Sequence, residues 1–132
     1  MRDVAASGGA GEGRLLGDPA DDPVYPDADA REFFLGSAAL GPAWRNEVTV
    51  RTGEWSRVYD ASAYVELVSP RPLLMVVAAD DTLSGTDLQL AAYERALEPK
   101  WLRILPGGHF APYVEQFEAS SSEAAEFLAQ HL

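Results

Sequence analysis

The chain contains no cysteine, which removes both a disulfide framework and a thiolate nucleophile from consideration. Positive charge is scarce: ten Lys and Arg stand against 21 Asp and Glu, for a formal net charge of −11. Without a basic stripe to neutralise phosphates, nucleic acid is not an expected partner, and the same deficit disfavours an anionic membrane surface. No apolar run approaches the roughly 20 residues of a membrane span. The opening Met1-Arg2-Asp3-Val4 also lacks the apolar centre of a signal peptide. A soluble, cytoplasmic protein is therefore expected. No internal repeat is visible.

What is present is enough for one core: 132 residues, 47% apolar and 23% charged, the ordinary proportions of a globular chain. Residues 1–26 are rich in Gly, Ala, Asp and Pro, and bury too little apolar surface to offset their ordering entropy, so they read as a disordered tail. The glycines of Ser7-Gly8-Gly9-Ala10-Gly11-Glu12-Gly13 follow no strand and lead to no Gly-Lys-Ser/Thr ending, which argues against a phosphate loop. Residues 27–132 form the expected ordered part.

That part is organised around residues 72–110. The unbroken apolar run Leu73-Leu74-Met75-Val76-Val77-Ala78-Ala79 shows no alternation and predicts a strand buried on both faces, the kind found in parallel sheets covered by helices. It ends in Asp80-Asp81. Ser84-Gly85-Thr86-Asp87 then predicts a capped helix through about Leu97, with Leu88, Ala91, Ala92, Tyr93 and Leu97 as its apolar side. A second apolar run, Trp101–Leu105, ends in Pro106-Gly107-Gly108-His109-Phe110. Strand, helix, strand in this order predicts a crossover unit with the two strands parallel and adjacent. An acid and a histidine then meet at the carboxyl edge of the sheet, where ligands and chemistry collect.

These two stretches, Pro72-Leu73-Leu74-Met75-Val76-Val77-Ala78-Ala79-Asp80-Asp81-Thr82 and Leu105-Pro106-Gly107-Gly108-His109-Phe110, resemble the acid-bearing and histidine-bearing segments of the alpha/beta-hydrolases. The wording is nearest to the bacterial esterase and dienelactone-hydrolase-like group. The resemblance covers about residues 25–132 and implies an α/β fold with two parallel strands and flanking helices, equivalent to the C-terminal portion of a hydrolase domain. It assigns Asp81 as the triad acid, in preference to Asp80, and His109 as the base. The family's chain order of nucleophile, acid and histidine is respected. The nucleophile itself is missing: no Gly-x-Ser-x-Gly elbow occurs, and the segment that would supply the oxyanion hole is absent. Ser37, Ser56, Ser62, Ser69, Ser84 and Ser120 to Ser122 all have capping, loop or helix-surface explanations.

The remaining elements follow from local signals. Asp29-Ala30-Arg31-Glu32 reads as a capping box opening a helix through about Leu40, with Phe33, Phe34 and Ala38 buried and Gly41-Pro42 as the stop. Between residues 44 and 58, helical spacing of Trp44, Val48, Trp55 and Val58 competes with the β-preference of Val48-Thr49-Val50, and a helix is expected. Trp44, Trp55 and Tyr59 are open to two readings, core packing or, as the resemblance to the alpha/beta-hydrolases implies for this region near the site's mouth, the lining of an acyl or alcohol pocket; Trp44 and Trp55 with Phe110 are the candidate substrate-binding residues. Asp60–Val65 predicts a short capped helical turn. Ser120-x-x-Glu123 opens a last helix to Leu132, with His131 complementing its dipole.

Three functional readings follow. The first is the acid-and-base part of a serine hydrolase for esters or acyl compounds, dependent on a nucleophile-bearing partner. The second is a non-catalytic small-molecule-binding or assembly module that dimerises through the exposed apolar edge of Leu73–Ala79. The third uses Asp81 and His109 as a general base acting directly on water or a substrate C–H. Asp80, Asp81 and His109 form a conceivable metal triad that nothing else favours, so neither a metal nor a cofactor is expected.

Overall fold

The computed structural model describes residues 12–13, 24–38 and 41–131, and the chain divides into two compact units, Met1–Tyr59 and Asp60–Leu132. In the first unit, β1 (Glu12–Gly13) pairs antiparallel with β2 (Val48–Thr49). This short pairing runs through the stretch expected to be a tail; the rest of residues 1–23 lies outside the described residues. Between the two strands comes α1 (Ala28–Ala38). Its first turn is held by the Arg31 amide on the Asp27 carbonyl at 3.1 Å, while the Asp29 carboxylate accepts the neighbouring Ala30 amide at 2.8 Å. The helix thus starts earlier than the capping-box reading has it. Ala30 is its buried residue, and the half-buried Phe34 stacks on Tyr25 and meets Phe33 edge to face.

A single helix across residues 44–58 does not form. The β-branched pair Val48-Thr49 goes to the strand, and α2 spans Val50–Val58. Thr49 does both jobs, because its hydroxyl oxygen also accepts the Thr52 amide and caps the helix. An extended residue with a short side-chain oxygen is what a helix N-terminus requires, so strand end and helix start fall on one residue.

The second unit begins with a 3₁₀ helix at Ala61–Val68, capped by the Asp60 carboxylate on the Ser62 amide. Then follow β3 (Leu73–Ala78), α3 (Thr86–Arg95), β4 (Lys100–Leu105), a 3₁₀ turn (Ala111–Tyr113) and α4 (Phe117–His131). The strands β3 and β4 are parallel neighbours in register from Leu73 opposite Lys100 to Ala78 opposite Leu105. The ladder runs on into both loops through Ala79 N–H to Leu105 O at 2.8 Å and Asp80 N–H to Gly107 O at 3.0 Å. Lys100 sits over the Tyr93 ring of α3, whereas Trp101 packs on Phe127 and His131 of α4 and Arg103 pairs with Glu123. Successive strand residues point to opposite faces, so α3 and α4 cover opposite sides of the two-stranded sheet.

Three local expectations need correction. Only Val77 and Ala78 of β3 are buried, and Leu73 to Val76 are half-buried, since β3 has one partner strand among the described residues. The helix α3 turns Ala92 and Ala96 into the core while Leu88 and Leu97 stay exposed, because close approach of helix to sheet favours the smaller side chains. Ser120 does not cap α4, which starts at Phe117. Its hydroxyl donates back to the Pro112 carbonyl at 2.6 Å, tying the helix to the turn before it.

Candidate functional site

The carboxyl ends of β3 and β4 lie side by side, and the parallel pairing brings the loops that leave them together. After β3 the chain turns sharply and is clipped shut by Thr86 at the start of α3. The Thr86 hydroxyl donates to Ala78 O at 2.7 Å and accepts the Asp81 amide at 3.0 Å, while the Thr86 amide donates to Asp81 O at 3.0 Å. The Asp81 side chain folds over its own loop: Oδ1 accepts the amides of Leu83 and Ser84, each at 2.9 Å. This is the self-bonding turn that aspartate forms readily. The other oxygen, Oδ2, accepts Gln89 Nε2 at 2.8 Å and His109 Nδ1 at 2.9 Å.

After β4 the geometry comes from backbone. Gly107 has φ of 105°, a conformation that residues with a side chain rarely adopt, and a β-carbon there would stand 2.7 Å from Ala111 Cβ. Gly108 carries no such demand, so of the two glycines only the first is dictated by the bend. The Ala111 amide returns to Gly108 O at 3.0 Å, and the chain between them presents His109. The Phe110 ring meets the imidazole edge to face with centroids 4.8 Å apart.

Burial separates the partners. The Asp81 side chain is 4% exposed and that of His109 is 26% exposed. Burial pushes the Asp81 carboxyl up, but the hydrogen bonds from the Ser84 amide, His109 and Gln89, together with the charge of a protonated His109, outweigh it and hold the group below the usual carboxylate range. An ionised carboxylate only accepts, so Nδ1 carries the hydrogen and the basic lone pair of neutral His109 lies at Nε2. Asp80, one residue earlier, is exposed; its amide continues the ladder, and the hydrogen bond to the imidazole belongs to Asp81.

His109 lines a cavity of about 350 Å³ whose walls include Val76, Ala78, Pro112, Phe117 and Ala124. Ser120 and Ser121 also border it, but their hydroxyls donate to main-chain carbonyls of Pro112 and Glu118. Ser84 approaches His109 at 3.4 Å, on Nδ1, the nitrogen already facing Asp81. The described residues hold no cluster of three or more His, Cys, Asp or Glu side chains grouped as a metal site needs. The structure therefore brings Asp81, His109 and Phe110 together in the second unit. Trp44 and Trp55 belong to the first, where Trp44 is half-buried and Trp55, on α2, is 66% exposed. Sequence reasoning passed over Thr86 and Gln89, which fix the acid. The one available signal was their position in the first turns of α3, directly after the acid loop.

No family model matches the chain. It is 31% identical over 104 residues to the polyketide transferase grgF of Penicillium sp., covering 78% of this chain and 35% of that protein. It is 42% identical over 110 residues to a polyketide transferase of Gibberella fujikuroi, covering 74% of this chain and 33% of that one. The crystal structure of the alpha/beta hydrolase GrgF from Penicillium sp. sh18 superposes with a TM-score of 0.69 at 27% identity, over 92% of this chain and 42% of that chain. The fold and these likenesses relate the chain to the alpha/beta-hydrolases. It spans about a third of the length of the curated relatives it matches.

Proposed function

We propose that this chain supplies the acid and the base of an acyl-transfer site, Asp81 and His109, to a serine nucleophile carried on another segment. The observation that supports this reading is the 2.9 Å hydrogen bond between His109 Nδ1 and a carboxylate that is 4% exposed. In such a site His109 Nε2 takes the serine proton as the serine oxygen attacks the acyl carbon, and the ionised Asp81 stabilises the imidazolium so formed. Collapse of the tetrahedral intermediate passes that proton to the leaving group and leaves an acyl-enzyme. Water, or another hydroxyl compound, then attacks in the same way, so hydrolysis and transfer use one machinery. The apolar walls around His109 suit an acyl chain. The name shared by the two relatives, polyketide transferase, makes a polyketide-type acyl compound the proposed substrate, with Phe110 as a proposed contact.

The nucleophile-bearing segment has a natural seat. Among the described residues β3 pairs only with β4, and the other edge of a parallel strand offers a row of amides and carbonyls to a further strand. Self-association through that edge is the competing use. No described helix is long and apolar enough to cross a membrane, and a cytoplasmic setting is part of the proposal.

The test is complementation. The chain is mixed with the remaining, elbow-bearing part of a relative, and hydrolysis of a chromogenic acyl ester is followed. Restored turnover is expected to fall by about 10⁶-fold in His109→Ala and by about 10⁴-fold in Asp81→Asn, as when a triad base is removed or its tautomer lost. Turnover that ignores His109→Ala sinks the reading.

A further inference from the structure

The Asp81 carboxylate has four hydrogen-bond donors: the Leu83 and Ser84 amides on Oδ1, and Gln89 Nε2 and His109 Nδ1 on Oδ2. An ionised carboxylate offers about four lone-pair positions, so the group is saturated, and its two oxygens have different tasks. One oxygen is held by its own loop. The other is divided between the imidazole and a side chain from α3, at nearly equal distances of 2.9 and 2.8 Å.

Gln89 is built for that place. Its backbone amide donates to Gly85 O at 3.1 Å in the first turn of the helix, and Nε2 makes a second, longer contact of 3.5 Å to the same carbonyl. Facing an acceptor-only group, the amide can present only its nitrogen. Two consequences follow. The donation from α3 stops the carboxylate from turning about its Cβ–Cγ bond, so one lone pair of Oδ2 stays aimed at Nδ1. It also withdraws electron density from Oδ2, which weakens the bond that the same oxygen accepts from His109.

We propose that Gln89 is a positioning residue: by sharing Asp81 Oδ2 with His109 it fixes the orientation of the imidazole and moderates the strength of the Asp81–His109 hydrogen bond. The inference deepens the acid-base reading of Asp81 and His109 and rests on it for its functional meaning. Its test reads the hydrogen bond directly and needs no turnover, so the two can fail separately.

The experiment uses the full chain, uniformly labelled with ¹⁵N and ¹³C, and follows imidazole and side-chain amide signals by NMR. With two histidines in the sequence, His131, packed on Trp101 and Phe127, is the internal reference. In Gln89→Leu the His109 Nδ1–H signal is expected to move downfield by more than its line width, as the remaining bond to Oδ2 strengthens, while His131 stays in place. Gln89→Met, which keeps the unbranched stem, is expected to do the same. In the unsubstituted protein a scalar coupling across the hydrogen bond should link the Gln89 side-chain nitrogen to the Asp81 carboxylate carbon. Folded variants with an unmoved His109 signal overturn the proposal. If both variants fail to fold, the coupling decides: its detection supports the shared oxygen and its absence overturns it. A shifted signal in a chain that never complements turnover would leave the positioning role standing and count against the acyl-transfer reading alone.

Discussion

The loop after β3 is closed by side chains, and the loop after β4 is closed by backbone. In the first, Thr86 clips both ends and the Asp81 carboxylate accepts four hydrogen bonds from within a buried site. In the second, a glycine with φ of 105° makes the bend, the Gly107 carbonyl accepts the Asp80 amide, and one imidazole nitrogen reaches the Asp81 carboxylate. The difference has a physical sense for proton transfer. A carboxylate that must stay ionised and motionless is served by many donors. An imidazole that must exchange a proton at its far nitrogen is served by one anchor and an open side.

That asymmetry predicts unequal costs. The largest is expected for Asp81→Ala, which removes the acceptor of four hydrogen bonds at once, from the Leu83 and Ser84 amides, Gln89 and His109: about 3 kcal/mol of stability, at about 1 kcal/mol or less per bond, read from urea unfolding. The carboxylate also gives stability a pH dependence of known sign. Its folded-state value is depressed, so its stabilisation is complete above the unfolded value of about 3.9 and fades as pH falls toward the lower folded value. The chain is expected to lose stability on acidification below about pH 4, and Asp81→Asn to flatten that slope. An unchanged slope in the variant would remove the ionised carboxylate from the account.

Gly107→Ala comes next, at about 2 kcal/mol, since it combines a left-handed backbone with a contact against Ala111. Its effect should concentrate in the histidine loop, seen as faster amide exchange there than after β3. Equal loosening of both loops would mean that they are not separately built. The smallest effect is expected for His109→Ala, about 1 kcal/mol, the net worth of one hydrogen bond at a partly exposed site. Thermal unfolding checks it. If it proves as destabilising as Asp81→Ala, the imidazole is a structural pillar and the comparison breaks.

How much was readable in advance varied with the range of the forces involved. Apolar runs as plain as Leu73–Ala79 and Trp101–Leu105 declare strands, and the motif order sets Asp81 and His109 at their ends. Where one residue serves two elements, local signals conflict: Thr49 closes a strand and caps a helix, and periodicity across residues 44–58 merges the two. Leu88 and Leu97 looked like a buried side of α3 because spacing records which residues share a face, not how close the helix comes to the sheet. Ala92 and Ala96 occupy that face in the fold.

The sequence by itself determined the two strands, the acid and histidine at their ends, the lack of a nucleophile elbow and the strongly acidic surface, because each of these is written in neighbouring residues. Only the tertiary structure decided that Thr86 clips the acid loop, that Gln89 shares the oxygen His109 uses, and that one glycine of the pair makes the bend. Those outcomes depend on distances of about 3 Å between segments up to 28 residues apart, and hydrogen bonds weaken steeply with small errors of distance and angle.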